Sequence, residues 1–292
     1  MFHLRRKIEG TFIDAGVDWI TVTAKTPEKV ERLRTFAYAM LDNQLGLGYF
    51  GRPWFQSGYV GVACGHVQFG DRADGCIIRL GGTLAKCYWM TVAEMGDNVT
   101  RIDLQATFRA EEEPRLLVHR HYKEIQRKRR LFKRAPRLSK IEDDDGGYTV
   151  YTGRRCSNVF GRIYDKASES KEKRFEKCVR YEVQFNGRRA KWVALATRRS
   201  LLAAEDIANN VLLFFQERGA SLRSLLDTLS QCVSLDTSLP NEAPTDVVRK
   251  LEWLARSIRP SVRHLVSLGL RAKVTSILGL DHCGPLIPIG SS

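Results

Sequence analysis

The sequence predicts an α+β protein, in which an antiparallel-rich sheet with helices is followed by a small all-helical C-terminal domain. Two segments, residues 99–108 and 178–185, alternate apolar and polar side chains, as half-buried strands do. After Ala190 the apolar residues recur at helical spacing instead. We therefore expect one domain at residues 1–190 and a helical domain at residues 191–292, which ends in a short tail.

The first part of the chain is expected to combine strands with two helices. Residues 17–23 are β-branched and aromatic, which favours a strand. A helix should follow, because Thr26 can cap it, Pro27 suits its first position, and apolar residues recur at helical spacing up to Gly46. Residues 49–80 are rich in glycine, valine and aromatic residues and predict short strands, with a further helix after them.

Two of the predicted strands carry the same polar pattern on one face. Residues 101–105 and 180–184 both read Arg-x-acid-x-Gln, with Asp103 and Glu182 as the acids. If the two strands are neighbours, these carboxylates can converge on one hard cation, Mg²⁺ or Mn²⁺. The alternative is two solvated faces with arginine–carboxylate pairs along the strands, which is typical of a half-exposed sheet.

The chain carries a large positive excess, which favours a polyanionic partner such as nucleic acid. It has 47 lysine and arginine residues against 33 aspartate and glutamate residues, a formal net charge of +14. Much of this excess lies at residues 115–140, which predict a basic helix up to about Ala135. Such a helix can contact several phosphates and so supply affinity without sequence information; the alternative is a solvated charged face. Its densest cations are the candidate DNA-binding residues Arg127, Lys128, Arg129, Arg130, Lys133 and Arg134.

Other classes of protein fit the sequence poorly. The seven cysteines are odd in number and never spaced as Cys-x-x-Cys, which predicts reduced thiols and neither a disulfide framework nor a zinc ribbon. No run of about 18 apolar residues and no signal-peptide pattern occurs, so we expect a cytoplasmic protein without membrane contact. His119 and His121 invite a metal interpretation, but side chains two residues apart on a helix diverge by about 200° and cannot share an ion.

One tyrosine of the chain is set among cations. Tyr164 has Arg162 and Lys166 two residues away on either side, and Arg154 and Arg155 precede them. Because a phenol has a pKa of about 10, a nucleophilic tyrosine needs nearby positive charge or a metal to favour phenolate. The same cations can hold a DNA phosphate. The alternative is an ordinary strand tyrosine among surface charges.

Together these segments resemble the replication initiation factor family, the rolling-circle initiators of plasmids, filamentous phages and conjugative elements. Residues 17–23 resemble its opening strand, residues 100–104 its Arg-x-Asp-Leu strand, residues 151–166 its signature and residues 180–182 its Arg-x-Glu strand. The pieces occur in the order that the family has, which is more specific than any one of them alone.

The resemblance implies a site-specific DNA nickase and strand transferase, with residues 1–190 as its catalytic domain. Tyr164 matches the nucleophile, which attacks the scissile phosphate and leaves a 5′-phosphotyrosine and a free 3′-OH that primes synthesis. Lys166, Arg162 and Arg154 then become candidates for binding the phosphate and stabilising the transition state.

The resemblance also implies a divalent cation, Mg²⁺ or Mn²⁺, held at the acidic positions that Asp103 and Glu182 match. Many relatives have a second aspartate where this chain has Thr107. We therefore expect fewer protein ligands to the ion, or weaker affinity for it.

The expected partner is origin DNA, either single-stranded or as a cruciform or supercoiled duplex, in the cytoplasm of a bacterial host. A host helicase, a replicative polymerase and a second copy of the chain are further expected partners. The competing hypothesis is a non-catalytic DNA-binding regulator of a phage or plasmid, which explains the charge equally well. An RNA-binding protein ranks last, because the sequence lacks the interleaved aromatic residues of a stacking surface.

Overall fold

The structure is a computed structural model, and it describes residues 10–132, 135–142, 147–170, 172–199 and 203–229. The strands are β1 Gly10–Ala24, β2 Arg52–Gln56, β3 Tyr59–Cys64, β4 Val67–Arg72, β5 Gly75–Gly81, β6 Asn98–Ala110, β7 Leu138–Glu142, β8 Tyr148–Thr152, β9 Val159–Asp165 and β10 Cys178–Asn186. The helices are α1 Pro27–Gly46, α2 Gly82–Met95, α3 Pro114–Arg129, α4 Lys166–Ser170, α5 Arg188–Arg199, α6 Ala204–Glu217 and α7 Arg223–Asp227, with a 3₁₀ turn at Lys173–Phe175.

The ten strands of the described residues form one sheet in the order β2-β3-β4-β5-β1-β6-β10-β9-β8-β7. Every neighbouring pair is antiparallel. This confirms the predicted α+β class with an antiparallel sheet. The order also makes β6 and β10 neighbours, although more than 60 residues separate them in the sequence, and it places β9 directly beyond β10.

The helix predicted after Thr26 forms as α1, with Pro27 at its first position and Gly46 at its end. Thr26 is at the N-cap position, but its side chain makes no capping bond to the helix. Its hydroxyl donates to Asp97 instead, and that carboxylate also accepts the backbone N–H groups of Lys25 and Thr26. A side chain from a distant turn therefore satisfies donors at this helix start.

One face of the sheet is apolar and forms the core together with six of the described helices, α1, α2, α3, α5, α6 and α7. On β6 the residues Ile102, Leu104, Ala106 and Phe108 are all buried, as the alternation predicts. The helices contribute Leu33 and Ala37 from α1, Trp89 from α2, Val118 from α3, Val193 from α5 and Phe215 from α6.

The other face of the sheet is polar, and its central part is also buried. Asp103 is 1% exposed and Glu182 is 3% exposed, while Gln105, Thr107 and Arg180 on the same face are buried as well. The alternative is therefore wrong about the solvation of these faces, but the arginine–carboxylate pairs that it includes are present, as between Arg101 and Asp103. Ionisable groups that are buried together influence each other's charge strongly, because little water screens them.

The described helices after β10 pack on the same sheet. The ring of Phe215 on α6 meets that of Tyr181 on β10, with 5.9 Å between the ring centroids. Residues 1–237 form one compact unit and residues 238–292 a second one. The sheet and α5 to α7 thus lie in one unit, whereas the domain boundary near residue 190 stays a prediction. Helices predicted after residue 244 lie outside the described residues.

Among the described residues, none of the helices combines the length and the apolar character that crossing a bilayer requires.

Candidate functional site

Strands β6, β10 and β9 bring the predicted tyrosine and carboxylates to one face of the sheet. On β10, Arg180 lies opposite Tyr164 of β9, and Glu182 lies opposite Arg162 of the same strand. Asp103 of β6 lies opposite Gln184, two residues along β10 from Glu182, and is therefore diagonal to Glu182 on the same face. Diagonal neighbours on one face of an antiparallel pair have backbone positions about 7–8 Å apart, so the two carboxylates face a common region.

Tyr164 is a buried residue, only 4% exposed. Its hydroxyl donates to Oε2 of Glu182 over 3.5 Å, the guanidinium carbon of Arg162 lies 4.9 Å from its ring centroid, and Nζ of Lys166 lies 5.9 Å from it. Burial and the Glu182 carboxylate raise the pKa of Tyr164 well above 10, against the opposing effect of Arg180 and Arg162. The arginines thus favour phenolate, as expected, but burial and Glu182 outweigh them, so the net direction of the pKa shift favours the protonated phenol.

Glu182 is the acid beside that phenol. Its Oε2 atom also accepts an ion pair from Arg162, with 2.6 Å between nitrogen and oxygen. Burial, followed by the carboxylates of Asp103 and Asp18, raises the pKa of Glu182 to about 7, although Arg162 acts in the opposite direction. A carboxylate with such a pKa can both give and accept a proton at neutral pH.

Asp103 is held by Arg101, whose Nε atom donates to Oδ1 at 2.8 Å and whose Nη2 atom contacts Oδ2. Burial raises the pKa of Asp103, the Asp18 carboxylate adds to the rise, and Arg101 opposes it. Asp18 itself is paired with Arg180 at 3.3 Å and lies in an irregularity of β1 between Val17 and Trp19.

Asp18 was not singled out from the sequence. A signal was present, because it is an acid in the middle of an otherwise apolar and β-branched strand. The irregularity in register beside it could not be foreseen from alternation alone. Three carboxylates from the adjacent strands β1, β6 and β10 thus act on one another.

The carboxylate oxygens of Asp18, Asp103 and Glu182 are the type of ligand atom that a hard cation prefers, and they lie in a partly desolvated region. Within the described part of the chain, however, no three His, Cys, Asp or Glu side chains are arranged as a metal site. Thr107 adds no ligand: its hydroxyl donates to Gln105 and accepts from Arg180. Each carboxylate is paired with an arginine: Asp18 with Arg180, Asp103 with Arg101 and Glu182 with Arg162.

The remaining cations of the tyrosine segment lie on both sides of Tyr164. Lys166 starts α4 and is paired with Glu169, while Asp165 caps this helix by accepting the backbone N–H of Ala167 at 2.9 Å. Arg154 and Arg155 lie in the exposed loop between β8 and β9. Lys166 is therefore fixed close to Tyr164, and the two arginines are open to solvent.

The basic helix forms as α3 but ends at Arg129, before the predicted end at Ala135. It packs on the apolar face: its buried His121 places Nε2 2.9 Å from the hydroxyl of Tyr181, which alternates along β10 with Arg180 and Glu182. The structure therefore does not bring this helix to the face that carries Tyr164.

The cations at the end of α3 are partly or fully exposed: Arg127, Lys128, Arg129 and Arg130. Two further candidates, Lys133 and Arg134, lie outside the described residues. The two histidines of α3 turn to different partners, His119 to Tyr148 at 3.0 Å and His121 to Tyr181 and Glu124. They do not converge on one point, as helical geometry predicts.

Comparison with known proteins agrees with this architecture. The structure is similar to the one titled "Structure of Rolling Circle Replication Initiator Protein from Geobacillus stearothermophilus", with a TM-score of 0.52, 19% identity, and coverage of 76% of this chain and 98% of that chain. At this identity the likeness shows the fold. A family model described as replication initiation factor matches residues 97–274, more than half of the chain. The chain therefore belongs to the replication initiation factor family. No curated protein matches it in sequence.

Proposed function

We propose that this protein is a rolling-circle replication initiator, which nicks origin DNA and rejoins it through Tyr164. The observation that carries the proposal is the contact between the Tyr164 hydroxyl and Glu182 beside Arg162, in a chain of this family. In the proposed reaction the bond from phosphorus to the tyrosine oxygen forms as the bond to O3′ breaks. The 5′-phosphotyrosine keeps the ester energy, and the free 3′-OH primes synthesis or reverses the step.

The protonation state of Tyr164 sets the first requirement of this reaction. The buried phenol is neutral, so its proton must leave as the oxygen attacks. Glu182 is the acceptor that the geometry offers, because its carboxylate already accepts the hydroxyl hydrogen bond and has a pKa of about 7. Glu182 then gives this proton to the leaving 3′ oxygen, which becomes the free 3′-OH. On rejoining, the attacking 3′-OH gives a proton back to Glu182, and the leaving Tyr164 oxygen takes it.

Access to Tyr164 depends on Arg162. The Arg162 side chain is 31% exposed, lies over the tyrosine ring and binds Glu182. A scissile phosphate offers this guanidinium a second anionic partner, so its arrival draws Arg162 away from Glu182 and uncovers the phenol. Arg162 and Lys166 then neutralise the charge that develops on the phosphoryl oxygens.

A divalent cation, Mg²⁺ or Mn²⁺, belongs to this proposal. Asp103 and Glu182 would hold it. The Tyr164 and Arg162 contacts both involve Oε2 of Glu182, so Oε1 of that carboxylate would be the oxygen that binds the ion. When bound, such an ion polarises phosphoryl oxygens and neutralises their charge. The carboxylates of Asp103 and Asp18 raise the pKa of Glu182, and a bound cation would offset this repulsion.

The decisive experiment uses supercoiled DNA that carries the origin of the protein's own replicon, with Mn²⁺ or Mg²⁺. A denaturing gel reports nicked circles and a covalent protein–DNA adduct. We expect Tyr164→Phe to abolish the adduct and to leave binding intact. Tyr181→Phe is the matched control, because it removes the hydroxyl of a buried tyrosine on the opposite face. An adduct that persists in Tyr164→Phe would show that Tyr164 is not the nucleophile.

A non-catalytic DNA-binding regulator is the second candidate. It is favoured by one specific observation, namely that the Tyr164 hydroxyl is buried while each nearby carboxylate is paired with an arginine. If this candidate is right, the wild-type protein binds its origin and neither nicks it nor forms an adduct with either ion.

The remaining parts of the proposal concern organisation and partners. Residues 1–190 are proposed as the nicking domain and residues 191–292 as a helical domain. Origin DNA in the cytoplasm of a bacterial host is the proposed substrate, whether the replicon is a phage or a plasmid. A host helicase, a replicative polymerase and a second copy of the chain are the proposed further partners.

A further inference from the structure

A cavity of about 600 Å³ lies at the end of the sheet, between β7, β8 and the loop that joins β8 to β9. Its lining combines aromatic rings with cations and contains no carboxylate. Its cations are Arg137, Arg154 and Arg155, and all three are exposed. The cavity is therefore electropositive and open to solvent, which suits an anionic ligand.

The aromatic part of the cavity is a stacked pair. The rings of Tyr151 and Phe160 have centroids 5.6 Å apart and an interplanar angle of 21°. The guanidinium carbon of Arg155 lies 5.8 Å from the Tyr151 centroid. Phe160 is buried and supports Tyr151, which is half-buried and can offer the rest of its ring to a flat ligand.

The loop that carries the arginines is fixed at both ends. Gly153 adopts a φ of 96°, which favours glycine, and its N–H donates to the carbonyl of Arg137 at 2.7 Å. Further along, the Ser157 hydroxyl contacts the carbonyl of Arg154 at 2.5 Å, and Asn186 of β10 donates to the carbonyl of Ser157 at 2.7 Å. The cavity is thus organised before any ligand arrives, which lowers the entropy cost of binding.

The cavity continues the sheet face that carries Tyr164. Tyr151 lies directly opposite Arg162 in the β8–β9 pair. Phe160 and Tyr164 are both on β9 and share a face, four residues or about 13 Å apart at the usual rise of a strand. A DNA strand with its phosphate at Tyr164 therefore reaches the cavity within a few nucleotides.

We propose that this cavity binds an unpaired nucleotide of the DNA strand whose phosphate reaches Tyr164. The base stacks on Tyr151, and the flanking phosphates contact Arg154, Arg155 and Arg137. Stacking on a ring requires a free base face, so an unpaired nucleotide fits and a base within a duplex does not. Stacking accepts any base, because every base has a π-face. The proposal rests on the proposed function and identifies the form of DNA that the site takes.

The first test measures binding of a short single-stranded DNA and of the matching duplex by fluorescence anisotropy. We expect Tyr151→Leu, which keeps an apolar side chain but removes the ring, to weaken single-strand binding about tenfold and to leave duplex binding unchanged. Tyr151→Phe should bind as the wild type does. Phe55→Leu is the matched control, because Phe55 is an exposed aromatic residue on β2 at the other end of the sheet. Thermal unfolding by circular dichroism shows that each variant is folded.

The second test uses an exposed thiol in the cavity lining, that of Cys156. Origin single strands that carry one thiol-tethered base, moved along the sequence, are expected to form a disulfide with Cys156 at one or two positions close to the nick. Cys156→Ser should remove this product. Cys87→Ser should leave it, because Cys87 is also exposed but lies on α2, outside the cavity.

Equal loss of duplex and single-strand binding in Tyr151→Leu overturns the proposal, as does unchanged single-strand binding. Trapping at every position along the strand, or tighter binding of the RNA of the same sequence, overturns it too. These failures are separable from failure of the proposed function, because the Tyr164 adduct of the wild-type protein is scored independently. If one nucleotide is trapped at Cys156 but no adduct forms, the cavity remains a nucleotide-binding site. The proposed nicking mechanism is then wrong.

Discussion

The hydroxyl of Tyr164 and the carboxylate of Glu182 face each other across two neighbouring strands, with 3.5 Å between the oxygen atoms. The same carboxylate oxygen is bound by Arg162. The Glu182 carboxylate therefore accepts from both the Tyr164 hydroxyl and the Arg162 guanidinium, and both contacts depend on its charge.

The rate of nicking should depend on the protonation of Glu182. If this carboxylate accepts the tyrosine proton, the rate rises with pH as Glu182 ionises. Glu182→Gln cannot accept the proton, so its rate should be low and should lack this rise. Single-turnover rates of both proteins across a pH series measure the dependence. The same rise in Glu182→Gln would show that Glu182 is not the titrating base.

Glu182 should also make stability depend on pH. Its pKa of about 7 in the folded protein exceeds the ordinary value of 4.5, so the folded state keeps a proton that the unfolded chain releases. Ionisation therefore lowers stability as the pH rises from about 4.5 to about 7. We expect the free energy of unfolding of the wild type, relative to Glu182→Gln, to fall across this window and to level above it. Urea unfolding at each pH measures it, and a constant difference contradicts the prediction.

Mn²⁺ should stabilise the protein, and more strongly above pH 7 than below pH 6, because the carboxylates must lose their protons to bind it. At a hundredfold excess over Kd, one bound ion adds about 2.7 kcal/mol. Thermal unfolding with and without the ion measures the effect without any DNA. Asp103→Asn and Glu182→Gln should each reduce it, whereas Glu169→Gln, outside the carboxylate group, should not. An equal shift in all variants would place the ion elsewhere.

His121 should be a structural residue. It is fully buried and lies between the Tyr181 hydroxyl and the Glu124 carboxylate. His121→Leu leaves the buried hydroxyl of Tyr181 without this partner, so we expect a loss of about 2–3 kcal/mol in the free energy of unfolding. His119→Leu, at a half-buried position, should cost less. Urea unfolding compares the two, and equal losses would contradict a special role for His121.

The loop arginines should contribute more to DNA affinity than the end of the basic helix. Replacing Arg154 and Arg155 with glutamine should lower the slope of log K against log salt for single-stranded DNA by roughly 1.4, since each phosphate of a single strand that a cation neutralises adds about 0.7 to the slope. Replacing Arg127 and Arg130 should lower it less, because α3 packs on the opposite face. Binding titrations at four salt concentrations give the slopes, and the reverse order would show that DNA follows α3.

The sequence predicted those elements whose pattern is local. Alternation identified β6 and β10 together with their polar faces, and the Pro27 and Gly46 boundaries identified α1, because these signals depend on neighbouring residues alone. It could not predict that the polar face is buried. This burial arises when β1, β6, β10 and β9 bring their polar side chains together, which only the strand order determines.

The same reason explains what the sequence could not predict about the site. Cations close to Tyr164 in sequence suggested a lowered pKa, whereas burial and Glu182, from another strand, decide the direction. The sequence predicted where the basic helix lies along the chain, but it could not predict the face of the sheet on which this helix packs. Likewise, Tyr151 and Phe160 stack only because β8 and β9 are paired in this register.

The position of β10 in the sheet has a consequence for how the protein is made. β10 is the last of the described strands in the sequence, yet it lies between β6 and β9. β10 lies between β9, which carries Tyr164, and β6, which carries Asp103. These two strands therefore cannot be joined in this way until the ribosome has released residues 178–186. A nascent chain that stops before Cys178 therefore has the tyrosine but lacks Glu182, the carboxylate that is proposed to take its proton. In the proposed function, DNA cleavage is thus restricted to chains whose synthesis has passed this strand.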